Sequence, residues 1–88
     1  MHYYVYILRS KKDNRWYTGF TVDLRKRFNE HNAGRFKTWT KGRGPYEIIY
    51  YEMCKNKEDA RHREIYLKTG MGKRYIQNRL KRFLALTG

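Results

Sequence analysis

Two short runs of β-branched and aromatic residues near the start of the chain constrain the fold more than any other feature. They are YYVYILR at residues 3–9 and RWYTGF at 15–20, and the polar stretch SKKDN separates them. Such runs on either side of a short polar turn predict a β-hairpin. With an even-length loop, paired residue numbers sum to an odd value, so Tyr6 and Tyr17 fall on the same face.

The middle of the chain predicts a helix and a third strand. Thr21 or Asp23 is suited to cap the helix, which ends at residues 32–34. A basic loop, GRFKTWTKGRGPY, follows, and YEIIYYEM at 46–53 has the composition of a strand.

The last third of the chain predicts two more helices. Asn56 caps the first of them, with Asp59 three residues later as a weak capping box, and this helix runs to about residue 68. Gly70 and Gly72 then break it, and the apolar spacing over 73–86 predicts another helix. The fold class is therefore α+β, a small three-stranded antiparallel sheet flanked by three helices.

The length of the chain limits the number of domains, and its net charge limits the class of partner. A chain of 88 residues has room for one compact domain over 1–88, and its charge of +13 calls for a polyanionic partner. Nucleic acid fits best, because no apolar run reaches about 18 residues and no long basic amphipathic helix indicates a membrane surface. The residues of the basic loop chosen as candidate phosphate contacts are Lys37, Lys41 and Arg43.

Cysteine usage and the N-terminus predict a cytoplasmic protein, and we also expect a monomer. Cys54 is the single cysteine and so forms no internal disulfide. The start, MHYYVYIL, lacks the basic, apolar and small-residue succession of a signal peptide.

The first helix carries an anomaly. At about 100° per residue, Leu24, Arg27, Phe28 and His31 share one narrow sector, so two basic side chains lie on the apolar face. Either Arg27 extends its stem over the core and His31 is an ordinary partly buried histidine, or both address one point at the edge of the sheet.

Glu64 is the second anomaly. On the helix over 57–68 it lies in angle between Ala60 and Leu67, the positions expected to face the core. A carboxylate there must be paired, protonated or bound to a metal. A structural ion pair with a neighbouring arginine is the simpler explanation.

Taken together, the two tyrosines, Arg27 and Glu64 indicate phosphodiester chemistry. A hard divalent ion needs only one or two carboxylates when phosphate and water fill its other positions, and an arginine can neutralise charge that develops on the phosphoryl oxygens. Tyrosines on a strand face are more often packing residues, and a phenol with a pKa of about 10 is a poor base unaided. The motifs of zinc hydrolases, serine triads and P-loops are absent from the sequence.

The ordered set of these segments resembles the GIY-YIG nuclease superfamily, in particular its small stand-alone members similar to excision nucleases. YVYIL at 4–8 resembles the first motif and WYTG at 16–19 the second. DLRKRFNEH at 23–31 carries the helix arginine, and ARHREIYLK carries the glutamate. The likeness covers about residues 3–76.

The resemblance implies hydrolysis of nucleic acid strands with one Mg²⁺ or Mn²⁺ ion and no organic cofactor. Tyr6 matches the tyrosine of the first motif and Tyr17 that of the second. Family members differ in which of the two acts as general base. We choose Tyr6, with Tyr17 and His31 orienting the water. Arg27 matches the catalytic arginine and Glu64 the metal ligand. Asn78 is the candidate for a late asparagine near the metal. Gly19 would let backbone and substrate approach closely.

The competing interpretation is a non-catalytic nucleic-acid-binding module, which the charge alone would predict. In either case the partner is nucleic acid, DNA rather than RNA. Simple binding does not require a lone acid on an apolar helix face, and this feature favours the endonuclease.

Overall fold

A computed structural model of the protein describes residues 1–33 and 44–87. Within them the chain forms a three-stranded sheet and four helices. None of these helices is long and apolar enough to span a bilayer. In chain order the elements are β1 (Tyr3–Ser10), β2 (Trp16–Thr21), α1 (Leu24–Asn32), β3 (Tyr46–Cys54), α2 (Lys57–Leu67), α3 (Gly70–Arg79) and α4 (Lys81–Thr87).

The sheet has the strand order β2-β1-β3, and both pairings are antiparallel. The predicted hairpin is confirmed: Ser10 N–H donates to the Arg15 carbonyl at 2.9 Å and closes the turn. Tyr6 pairs with Gly19, and the next pair on that face joins Leu8 to Tyr17. The two tyrosines therefore share one face, as the parity of the hairpin predicts.

A β-bulge interrupts the pairing of β1 with β3. Tyr6 lies opposite Tyr51, but beyond the irregularity at Ile7 and Leu8 the partner of Leu8 is Ile48. One extra residue in β3 reverses the face to which its side chains point. The first half of β3 therefore turns its even-numbered residues towards α1.

The sheet carries a small core on each face. The face under α2 and α3 buries Val5 and Ile7 against three helical residues, Ala60, Leu67 and Ile76. The opposite face buries Tyr6, Leu8 and Tyr46 against residues from β2, α1 and β3, namely Tyr17, Leu24, Phe28 and Ile48. The second core is the one that contains the predicted tyrosines.

Capping explains where the first two helices begin. The Asp23 carboxylate accepts from Lys26 N–H at 3.1 Å, and the Asn56 side-chain oxygen accepts from Asp59 N–H at 3.1 Å. Each bond satisfies a backbone donor that the first turn leaves without a partner. Both predicted caps are confirmed, and of the two candidates for α1 it is Asp23 rather than Thr21 that caps the helix.

The prediction of one helix over 73–86 was wrong. The helix begins at Gly70, because Thr69 caps it by accepting from Gly72 N–H at 3.1 Å. It ends at Arg79, where Leu80 leaves the helical region with φ −101° and ψ 21°, and the separate helix α4 follows. Both glycines thus lie inside α3 rather than between two helices.

Close helix packing explains Gly72. A Cβ at this position would overlap the Tyr66 carbonyl oxygen and the Leu67 Cα, which belong to the last turn of α2. Only glycine lets the first turn of α3 pack this closely against backbone atoms.

We therefore expect Gly72→Ala to lower the free energy of unfolding by about 1–3 kcal/mol, because backbone atoms must separate to admit the methyl group. Urea denaturation measures this change. Gly70→Ala is the matched control, since a Cβ added at Gly70 would meet nothing within 4 Å. A Gly72→Ala protein as stable as the control would contradict this account of the α2–α3 contact.

Candidate active site

Tyr6 lies at the centre of the candidate site. It occupies the middle of the central strand, it is 1% exposed, and its ring lies across Gly19 of β2. A Cβ at Gly19 would overlap the Tyr6 hydroxyl and its Cζ atom. The family resemblance implied that Gly19 admits substrate close to the backbone, and in the structure the group that approaches is Tyr6 itself.

The Tyr6 hydroxyl reaches a histidine on α1. His31, in the last turn of that helix, is 3% exposed, and its Nε2 lies 3.0 Å from the Tyr6 hydroxyl oxygen. The packing of Leu24 and Phe28 against this face of the sheet turns the same side of the helix inward. His31 therefore follows the apolar stripe into the core, as its angular position predicts.

Two more aromatic rings complete what we call the tyrosine–histidine cluster, namely Tyr6, Tyr17, His31 and Tyr46. The ring centroid of Tyr17 lies 4.9 Å from that of His31 and 6.4 Å from that of Tyr6. The Tyr46 centroid is 6.3 Å from His31. Tyr46 was not predicted, because strand parity counted from Tyr51 puts it on the other face and only the bulge brings it here.

Asn32, next to His31, joins α1 to the start of β3. Its side-chain oxygen accepts from Tyr46 N–H at 2.6 Å, and its amide nitrogen donates to the Tyr46 carbonyl at 3.4 Å. This two-point bond fixes Tyr46 beside the imidazole. A side chain that the sequence marked only as a helix end thus helps to shape the cluster.

Arg27 lies one helical turn before His31 and is partly buried. Its Nε is 3.5 Å from the Glu30 carboxylate, an i,i+3 pair on α1. Its positive charge also acts on the Tyr6 phenol and on His31. The arginine therefore faces the same region as the two aromatic groups.

Glu64 lies on α2 with a side chain that is 13% exposed. Lys68 Nζ is 3.2 Å and Arg61 Nη1 is 3.8 Å from its carboxylate oxygens. Both cations are more than half exposed, and exposed pairs of this kind contribute about 0–1 kcal/mol. The carboxylate is thus paired, as the simpler explanation expected, and solvent screens both pairs.

Tyr17, Arg27 and Glu64 all act on the pKa of Tyr6. Burial raises the pKa of the Tyr6 phenol, and the neighbouring Tyr17 and the negative charge of Glu64 raise it further, whereas the Arg27 charge lowers it. Charges from α1 and α2 thus act on one hydroxyl from opposite sides of the sheet. Glu64 lies within electrostatic reach of Tyr6 although the two residues belong to different faces.

His31 is held neutral. Burial, together with the positive charge of Arg27, lowers its pKa to about 4. A neutral imidazole has one nitrogen that accepts a hydrogen bond, so Nε2 can accept from the Tyr6 hydroxyl when the proton is on Nδ1.

The donor set fits a hard divalent cation bound through a single carboxylate. Among residues 1–33 and 44–87, no three His, Cys, Asp or Glu side chains come together as a metal cage. Mg²⁺ and Mn²⁺ accept one carboxylate when water and substrate phosphate supply their other oxygens. Glu64, with its displaceable partners, is the side chain that would hold such an ion.

The remaining predicted residues lie elsewhere. The loop cations Lys37, Lys41 and Arg43 fall outside the described residues. Asn78 is exposed on α3 and lines a crevice at the α3–α4 junction together with Arg79 and Leu80.

Comparison with known proteins places this chain in a family. The GIY-YIG catalytic domain matches residues 2–81. The UPF0213 protein CPE1444 of Clostridium perfringens is 48% identical over 65 residues, which cover 74% of this chain and 69% of that protein. The UPF0213 protein SH2523 of Staphylococcus haemolyticus is 43% identical over 67 residues, covering 76% and 80%.

A solved structure agrees with the fold. The solution NMR structure of the UPF0213 protein BH0048 from Bacillus halodurans has 33% sequence identity and a TM-score of 0.52, and the match covers 100% of this chain and 87% of that one. The resemblance read from the sequence is confirmed, and the chain belongs to the GIY-YIG family, with small UPF0213 proteins among its relatives.

Proposed function

We propose that this protein is a metal-dependent endonuclease, one nuclease domain that hydrolyses phosphodiester bonds of nucleic acid, DNA rather than RNA. The observation that carries the proposal is the convergence on the Tyr6 hydroxyl: His31 hydrogen-bonds to it, and Arg27 and Glu64 both act on its pKa. Family membership supports the same class of reaction. The cytoplasmic location and the monomeric state stay predictions from the sequence.

Tyr6 and His31 act as one proton relay in this proposal. A phenol is protonated at neutral pH, and burial raises the pKa of Tyr6 further. Tyr6 therefore cannot accept a proton from water unless it gives up its own. As the attacking water loses a proton to the Tyr6 oxygen, the phenolic proton moves along the existing hydrogen bond to His31 Nε2. The water oxygen bonds to phosphorus as the bond to the leaving strand oxygen breaks, and that oxygen takes up a proton from solvent. The proton held on His31 then leaves through the Tyr6 hydroxyl, which restores the pair.

Arg27 and Tyr17 serve the same step. The Arg27 charge lowers the pKa of Tyr6 and would stabilise negative charge on the phosphoryl oxygens. Tyr17 is more exposed than Tyr6 and packs against His31, so its hydroxyl is suited to orient water or phosphate at the opening of the site.

Glu64 is proposed as the ligand of one Mg²⁺ or Mn²⁺ ion. When bound, such an ion supplies Lewis-acid stabilisation of the phosphodiester. Glu64 also raises the pKa of Tyr6, and neutralising its charge would remove that unfavourable influence.

A second candidate is a nucleic-acid-binding module without turnover, which the charge of +13 favours. It requires binding that weakens steeply with salt, because each phosphate contact releases condensed counterions. The same protein preparations distinguish the two candidates when binding is measured in EDTA and cleavage is measured with metal.

We expect Glu64→Gln to lower cleavage of end-labelled duplex, single-stranded and branched DNA by at least about 10²-fold in Mg²⁺ or Mn²⁺, because the amide binds a hard cation far more weakly. Gel analysis of the products measures the rate. Glu58→Gln is the matched control, since Glu58 is exposed in the first turn of the same helix. Equal cutting by wild type and Glu64→Gln would remove Glu64 from the mechanism, and absence of cutting with retained binding would favour the binding module.

We expect substitutions of the two tyrosines to lower kcat by different amounts. We expect Tyr6→Phe to lower kcat by about 10²–10⁴-fold, the usual contribution of a general base, and Tyr17→Phe to lower it by much less. Single-turnover cleavage under saturating metal measures both variants. A Tyr17→Phe protein that loses more activity than Tyr6→Phe would transfer the role of base to Tyr17.

The neutral state of His31 predicts acid sensitivity of the fold. Its pKa is about 4 in the folded chain and about 6.5 when unfolded, so the unfolded chain binds more protons between these values and stability falls as the pH drops through this window. The loss attributable to His31 amounts to roughly 3 kcal/mol at the acid end.

Urea denaturation at pH 7 and at about pH 4.5 tests this prediction, because most of the His31 window lies between these values. His31→Gln should lose less stability over this interval than the wild type, and His62→Gln, at an exposed position of α2, should behave like the wild type. An unchanged pH dependence in His31→Gln would show that His31 is not held neutral in the fold.

A further inference from the structure

Few apolar side chains of α2 face the core. Of the eleven residues in this helix only Ala60 and Leu67 are buried, and Ile65 is 64% exposed. With the partly buried Tyr66, they form a narrow apolar stripe. Polar contacts on the sides of the helix therefore contribute to the direction in which Glu64 points.

An arginine lies on each side of the helix, and the two differ in how firmly they are held. Arg61 lies over the Phe20 ring of β2, 5.2 Å from the centroid. Arg63 faces β3, where its Nε donates to the Glu52 carboxylate at 2.6 Å. The second oxygen of that carboxylate accepts from the Tyr50 hydroxyl at 2.6 Å. The α2–β3 side is thus joined by a directional, charge-assisted bond.

Aromatic rings enclose the Arg63 guanidinium as well. Its Cζ lies 4.8 Å from the Tyr75 centroid and 5.3 Å from the Tyr66 centroid. The side chains of Arg63 and Glu52 are 29% and 23% exposed, so solvent competes less with this pair than with the Glu64 pairs. A planar guanidinium held by a carboxylate and two rings has little freedom to move.

We propose that the Arg63–Glu52 pair positions the Glu64 carboxylate by fixing the rotation of α2. Glu64 follows Arg63 directly, so it is offset from Arg63 by about 100° around the helix. A helix turn of about 20° at a radius of about 6 Å would displace the carboxylate by roughly 2 Å. An error of this size is enough to impair a site that needs defined geometry. The inference rests on the proposed function, in which Glu64 binds the metal.

The experiment is a Mn²⁺ titration of ¹⁵N-labelled protein without nucleic acid, followed by paramagnetic broadening of the backbone amides of α2. We expect Glu52→Gln and Arg63→Lys to raise the Mn²⁺ concentration for half-maximal broadening several-fold. Arg63→Lys keeps the positive charge but loses the planar guanidinium and its directional N–H donors. Because this change is conservative, it serves as a second variant in case Glu52→Gln fails to fold.

Glu47→Gln is the matched control. Glu47 also lies on β3 and pairs with a buried arginine, Arg9, whose Nε donates to it at 3.0 Å. This pair lies at the other end of the strand. We expect its loss to lower the thermal midpoint of unfolding, as we also expect for Glu52→Gln, but to leave the Mn²⁺ titration unchanged. A shift of the same size in the control, or none in Glu52→Gln, would overturn the positioning role.

Glu64→Gln separates the two proposals. If it abolishes the broadening of α2 and Glu52→Gln has no effect, the positioning role fails and the proposed function stands. If the broadening survives in Glu64→Gln, the metal assignment itself fails, and the positioning role fails with it.

Discussion

The contact of the Tyr6 ring with the bare backbone of Gly19 is the constraint on which the rest of the site depends. Tyr6 belongs to the central strand, yet its hydroxyl must cross β2 to reach His31, and any side chain at Gly19 would occupy that path. The hairpin register therefore has to pair Tyr6 with Gly19, and the last turn of α1 has to lie beside the Tyr6 hydroxyl. The register of the hairpin, the length of its turn and the cap of α1 together make the Tyr6–His31 hydrogen bond possible.

The sheet separates two sets of candidate functional groups and couples them through Tyr6. The tyrosine–histidine cluster and Arg27 come from the α1 face, whereas Glu64 comes from α2 on the other face. Arg27 and Glu64 shift the pKa of the phenol in opposite directions, so its ionisation responds to changes at either residue. Two small cores thus place charged groups from two helices around one phenol of the central strand without burying a cluster of charges.

Local patterns predicted much of this arrangement. Hairpin parity placed Tyr6 and Tyr17 together, the caps at Asp23 and Asn56 were readable, and helical spacing turned His31 inward. The failures are non-local. Nothing in YEIIYYEM announces the bulge that brings Tyr46 to the cluster, since the bulge depends on how β1 pairs with β3. Gly72 was predicted to break a helix. Glycine is needed there because α3 contacts the backbone of a different helix, which the local sequence does not show.

The contrast between Glu52 and Glu64 shows why spacing alone could not assign their roles. Arginine flanks Glu64 in the sequence, and an ion pair was the simpler expectation for it. The enclosed pair belongs instead to Glu52, whose partner Arg63 is packed between two rings, whereas the cations beside Glu64 are more than half exposed. A carboxylate that is to bind a cation must be sheltered enough to hold its direction and weakly enough paired to exchange its partners. Only the fold creates these two environments, a packed ion pair around Glu52 and solvent-exposed partners around Glu64.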